Sequence, residues 1–224
     1  VLNGELVAAV NMPPISGDLN ELRPYISLGE KLGAIYYQAE QERVEKIEIT
    51  YSGDLVDKPT KPITLAVIKG FMSVVSEDEV NYVNAQLKLS EMGVELVESK
   101  SSQLEKYTNL ITVKFYRKSN AISVSGTVFA VDTIRIVDFF GYALDFEPTK
   151  HVIALQNIDV PGIIGKVGTL LGQNNINIAA MQWSRSTRSN KAVSFVSVDS
   201  DVSPELLEKL RAVEGVIKVS KLSF

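Results

Sequence analysis

The sequence predicts an α+β protein: an intervening α+β unit with an antiparallel sheet, followed by a compact β-α-β-β-α-β unit. Three observations carry this. Helical stripes and alternating strands coexist throughout the chain. Five strand-like segments follow one another between positions 94 and 146. From His151 onward the pattern runs strand, helix, two strands, helix, strand, which is the split βαβ, or ferredoxin-like, order.

Three blocks follow. Residues 1–16 form a lead whose Pro13-Pro14 pair breaks any regular element and marks a linker. The intervening unit occupies 17–148. It opens with a helix from Asp18 to about Gln41, where Leu19, Leu22, Ile26, Gly29, Leu32, Gly33 and Tyr36 share one stripe. Ile47, Ile49 and Tyr51 alternate with polar residues as a half-buried strand. Ile63–Ile68 is a short apolar run. Ser76-Glu77-Asp78-Glu79 has capping-box form, with Val80, Val83 and Leu87 following at helical spacing and Gly93 as the stop. The strands Val94–Ser99, Leu110–Arg117, Ile122–Val131, Ile134–Phe139 and Tyr142–Phe146 complete the block.

The third block, 149–224, is punctuated more cleanly. His151–Gln156 is a strand, and Pro161-Gly162 turns the chain into a helix striped by Ile163, Ile164, Val167, Leu170 and Leu171. Strands over Ile176–Ser184 and Lys191–Asp199 flank the polar turn Ser186–Asn190. Ser203-Pro204 opens the second helix and Gly215 closes it before the last strand, Val216–Leu222.

Composition narrows the function classes. The chain has 224 residues, a net charge of −4, no Cys and one His. A nucleic-acid binder would carry a basic excess. The absence of Cys removes thiolate metal sites and cysteine nucleophiles, and fits a cytoplasmic protein. One His argues against multi-His metal sites and His-dependent catalysis. No apolar run of membrane-spanning length is present, so no membrane partner is expected. The start at Val1, without an initiator Met, reads as a cut inside a longer protein.

The residues with binding chemistry gather at the first strand–helix turn of the third block. Asn157 and Asp159 flank the strand end. Gly162 to Gly165 begin a helix whose free N–H groups favour an anion, and Gly lets a ligand approach the backbone. Asn177 offers an amide before the next strand. This set suits a zwitterion: Asp159 for the ammonium, the helix start for the carboxylate, Asn157 and Asn177 for either end. The competing reading is that Asn157 and Asp159 only shape a loop.

Other residues point to less. Gly162, Gly165, Gly168 and Gly172 give G-x-x-G-x-x-G, not a dinucleotide fingerprint, and read as a small-residue face for packing on the sheet or another subunit. Lys69, Lys114, Arg117, Lys118 and Arg135 read singly as a solvated face. Asp132, Asp138 and Asp145 have no His to complete a constellation, His151 reads as structural, and Trp183 as packing or interface. No catalytic residue is assigned, and no metal or cofactor site.

The string Asn157-x-Asp159-x-Pro161-Gly162, with Gly165-Lys166-Val167-Gly168-x-Leu170-Leu171-Gly172 and Asn177-Ile178-Ala179, resembles an ACT domain. Lys69-Gly70-Phe71, Val80-Asn81-Tyr82-Val83-Asn84-Ala85, Gly93-Val94 and Ser125-Gly126-Thr127-Val128 resemble the intervening, allosteric substrate-binding-like domain of long-form D-3-phosphoglycerate dehydrogenases. The lead from Gly4-Glu5 to Ala9-Val10-Asn11-Met12-Pro13 resembles the end of their catalytic part.

That resemblance implies a regulatory fragment of an NAD-dependent oxidoreductase, whose Rossmann domain and catalytic Arg, Glu and His lie before Val1. NAD would belong to the parent enzyme and no cofactor to the fragment. It also implies L-serine as effector at an ACT–ACT interface, with Asn157, Asp159 and Asn177 at the family's site positions, and self-association through the ACT domains. In some members the intervening domain binds a phosphate or substrate-like anion. Arg135 matches one such position, whereas Tyr142 and Glu147 stand where those members carry arginines. Two rivals are a regulatory segment of L-serine dehydratase and a stand-alone amino-acid-binding regulator. The sequence upstream of Val1 discriminates among them.

Overall fold

The computed structural model describes residues 19–103, 106–130 and 132–224. The lead segment and its Pro13-Pro14 linker lie outside the described residues. The first body comprises α1 (Leu19–Glu40), β1 (Lys46–Gly53), α2 (Lys61–Val75), α3 (Ala85–Glu91), β2 (Glu95–Ser101), β3 (Asn109–Tyr116), β4 (Ala121–Phe129), β5 (Thr133–Phe139) and β6 (Tyr142–Phe146). The second comprises β7 (His151–Ile158), α4 (Ile163–Gln173), β8 (Ile178–Arg185), β9 (Lys191–Val198), α5 (Pro204–Arg211) and β10 (Val216–Ser223).

The six strands of the first sheet run in the order β2-β1-β3-β4-β5-β6. β3 to β6 form the antiparallel meander that the alternation implies. β2 differs: it lies parallel to β1, Lys46 beside Glu95, because α2 and α3 carry the chain back across the sheet. α1 packs on this sheet and α2 packs on α1. Small residues let the two helices touch backbone to backbone. A Cβ on Gly33 would lie 2.0 Å from the Val67 carbonyl oxygen, and one on Gly70 would lie 1.9 Å from that of Glu30. Tyr36, Phe71 and Phe115 fill the space between helices and sheet, with the Tyr36 and Phe115 rings stacked at 4.4 Å.

One segment left open is resolved and one local reading changes. The Ile63–Ile68 run is the buried start of α2, with Pro62 in its first turn. Ser76 does not open a helix. Its N–H donates to the Met72 carbonyl at 2.8 Å and closes α2. The Asn81 side chain then accepts from the N–H groups of Val83 and Asn84, and α3 starts only at Ala85. Val83 and Leu87 are left exposed.

The second sheet has the order β10-β7-β9-β8, with β8 at its edge. One face packs α4 and α5 through Ile153, Leu155, Val196, Val198 and Val219. The other face is covered over β7, β9 and β10, while Gln182 of β8 stays exposed. Val152, Ala154, Val193, Phe195 and Leu222 join the core of the first body, where Phe195 meets Phe139 and Phe146, each at 4.8 Å. Polar contacts lock the seam. Gln38 exchanges two hydrogen bonds with the Ser223 backbone, and the Ser220 hydroxyl donates to the Ala39 carbonyl. Period-two alternation thus serves two cores at once. Among the described residues, no helix is long and apolar enough to cross a membrane.

Candidate functional site

Asn157 is the last buried residue of β7, and its side chain is fully enclosed. Its Nδ2 donates to the Ile158 carbonyl at 2.6 Å, while Oδ1 is buried with no hydrogen-bond partner among the described residues. An unmet buried acceptor costs about 1–3 kcal/mol, so this atom is a standing demand for a donor. Next, the Asp159 N–H donates to the Asn190 carbonyl at 2.7 Å, which ties the turn to the β8–β9 loop. The Asp159 carboxylate forms an ion pair with Arg185 Nε at 3.2 Å. The ammonium acceptor read from the sequence therefore already has a cation beside it.

Gly162 adopts a left-handed conformation, φ +93°, and caps α4 without a side-chain hydrogen bond. Pro161 thus precedes the cap, and the helix starts at Ile163. Gly162 and Gly165 open onto a shallow groove of about 600 Å³ between α4 and α5, crossed by the Lys166–Glu214 pair at 3.2 Å. A Cβ at Gly162, Gly165, Gly168 or Gly172 would meet nothing within 4 Å, so this small-residue face does not pack on the sheet.

The structure does not bring Asn177 to this turn. β8 runs from Ile178 to Arg185, and the ladder pairs Ile178 with Val198 and Arg185 with Ala192, itself opposite Asn157. Asn177 therefore sits at the other end of the sheet, where its Nδ2 donates to Asp199 at 2.6 Å. Seven residue steps at about 3.3 Å place the two halves of the expected site about 23 Å apart within one chain. Between them lies the outer edge of β8, which no strand pairs among the described residues. Arg185 and Asp199 escaped the sequence reading because only the strand register places them here.

Most of the remaining candidates are occupied. Arg135 is gripped by Asp145 at 3.2 Å and Glu147 at 2.7 Å, so its guanidinium already has the anions it was a candidate to recruit. Lys69 pairs with Glu30, and Arg117 with Glu40 and Glu42. Lys114 lies over the Tyr116 ring, and Lys118 is exposed. His151 Nδ1 stands 3.7 Å from Asp201. Trp183 packs against the helix-side core. Asp132, Asp138 and Asp145 form no cluster able to hold a metal among the described residues.

Residues 21–140 match the model of the D-3-phosphoglycerate dehydrogenase intervening domain, and residues 151–215 match the ACT domain. The chain is similar to proteins named D-3-phosphoglycerate dehydrogenase. With that of Archaeoglobus fulgidus it shares 34% identity over 212 residues, 93% of this chain and 40% of the relative. With that of Methanocaldococcus jannaschii it shares 33% over 225 residues, 100% of this chain and 43% of the relative. With that of Synechocystis it shares 33% over 211 residues, 93% of this chain and 38% of the relative. The chain thus spans about two fifths of the length of these curated relatives.

Proposed function

The chain belongs to the D-3-phosphoglycerate dehydrogenase intervening-domain family and carries an ACT domain behind that segment, and from this premise we propose that it is the regulatory part of an NAD-dependent D-3-phosphoglycerate dehydrogenase, the enzyme of the first step of L-serine biosynthesis. NAD and the reacting substrate would be held by the rest of the protein. Residues 1–16 would end the catalytic region, 17–148 form the intervening unit and 149–224 the effector-binding unit.

L-Serine is the effector in this reading, bound between two ACT domains. The observation that carries it is the edge of β8, unpaired among the described residues, with Asp159 near one end and Asn177 at the other. Antiparallel pairing of two β8 edges about a twofold axis closes both edges. It also brings Asn177 of the partner subunit to the end of β8 where Arg185 pairs with Asp159. Asp159 then accepts the ammonium, and the N–H groups at the start of α4 by Gly162 and Gly165 face the carboxylate. Each of two equivalent sites draws on both subunits.

Serine bound across that seam favours one orientation of the pair, and the shared core passes it to the intervening unit as a shift in populations. Couplings of this kind are about 1–3 kcal/mol. Calorimetry of L-serine binding to this chain tests the assignment: Asp159→Ala should weaken affinity at least about tenfold, or ~1.4 kcal/mol. Unchanged affinity would remove Asp159 from the site. A thermal-shift screen in which only glycine or aromatic amino acids stabilise the chain would overturn serine as ligand.

A further inference from the structure

A cavity of about 490 Å³ lies where the two sheets meet, on the face of β7 away from the turn just described. Gln156 lines it while Asn157 points to the helix side, as alternation along a strand requires. Its walls come from both bodies. Ile122, Phe140 and Tyr142 are only half-buried and give it an apolar side. Phe140 has a left-handed backbone, φ +55°, uncommon for a bulky residue. Stacking on Phe139 at 3.9 Å, and its N–H on the Ser123 carbonyl at 2.8 Å, hold it there. The ring is therefore a fixed wall.

The polar side is cationic. Arg117, Lys191 and Lys218 line the cavity against one carboxylate, Glu40. Glu40 pairs with Arg117 and with Lys218, both at 3.1 Å. Arg117 also pairs with Glu42 at 3.0 Å and donates from Nε to Asn120 at 2.8 Å. Two carboxylates thus answer two of the three cations. Lys191 is exposed and makes no ion pair among the described residues. The cavity presents one open positive charge beside an aromatic surface.

We propose that this cavity binds a small organic monoanion with a planar, apolar body, its carboxylate on Lys191 and its body against Phe140 and Tyr142. The volume is in the range of small-molecule sites, which pair apolar walls with a few placed polar groups. Inorganic phosphate is a poor match, since it would leave the aromatic wall wet. A cation is disfavoured by the charge count, and a neutral ring would leave Lys191 unanswered. The site is separate from the serine seam and does not depend on it.

The test uses the 224-residue chain with 1-naphthoate as probe and 1-naphthamide and inorganic phosphate as comparators, read by calorimetry. Naphthoate should bind once per chain. Lys191→Gln should weaken it at least about tenfold with the unfolding midpoint unchanged, and Lys191→Arg should restore it. L-Serine in excess should not displace it. No saturable binding, equal binding of naphthamide, displacement by phosphate or by serine, or full affinity in Lys191→Gln would each overturn the proposal.

Discussion

Asp159 and Asn177 stand at opposite ends of the ACT sheet, one beside Arg185 at the end of β8 and the other just before its first residue, Ile178. A ligand that needs both must take them from two chains. Mixing two defective chains tests this. Asp159→Ala and Asn177→Ala should each weaken serine binding alone. In their one-to-one mixture, each hybrid pair carries one site with both substitutions and one with neither. Calorimetry should therefore recover tight binding at one site per hybrid pair. A site built within one chain would recover nothing.

The glycines make opposite predictions in the two bodies. Gly33→Ala drives a methyl into the Val67 carbonyl, and only separation of α1 from α2 relieves it. We expect a loss of about 3 kcal/mol or more in urea unfolding, at the upper end of overpacking costs. Gly165→Ala meets nothing, so helix propensity governs and stability should rise by up to about 1 kcal/mol. The same methyl covers the start of α4, so serine affinity should fall while stability rises. A variant that keeps full affinity would place the serine carboxylate elsewhere.

Phe195 tests whether the two bodies act as one. It is 1% exposed and its ring bridges Phe139 and Phe146 across the seam. Phe195→Ala should cost about 3–5 kcal/mol. Because the first body keeps its core with α1 and α2 and the second its helix-side core, calorimetric unfolding should split from one transition into two. A single transition, merely shifted, would mean that the remaining seam contacts, such as the Gln38–Ser223 pair, suffice.

Much of this architecture was legible because its signals are local. Ser203 does cap α5, accepting from the Leu206 N–H at 3.3 Å, and Gly215 does turn left-handed after it. The stripe of α1 and the alternation of β7 and β9 needed only periodicity. The Ile63–Ile68 run did not resolve, because a helix buried nearly all round shows no stripe and a short buried strand reads the same way. Ser76 misled because its motif fits a helix start, while the Asn81 side chain takes the next two N–H groups into a turn instead. At the site, residue types were readable but their separation was not. Asn157, Asp159 and Asn177 look like one set until the ladder puts Arg185, not Asn177, beside Asp159.

Asp138 offers a pH test in the first body. Burial between β4 and β6 raises its carboxyl above the ordinary value, opposed in part by the Gly141 N–H at 3.3 Å. The proton is therefore held more tightly in the folded chain than in the unfolded one. Its stabilising effect is full below the unfolded value of about 3.9 and is lost as pH rises through the folded value. At neutral pH the ionised group opposes folding. Asp138→Asn keeps the acceptor for Gly141 and removes the charge, so it should raise the unfolding temperature at pH 7. Thermal unfolding followed by circular dichroism from pH 7 down to pH 3 checks this. The gain should shrink through the window between the two values and vanish below it. A gain that is constant with pH would assign the effect to packing rather than to charge.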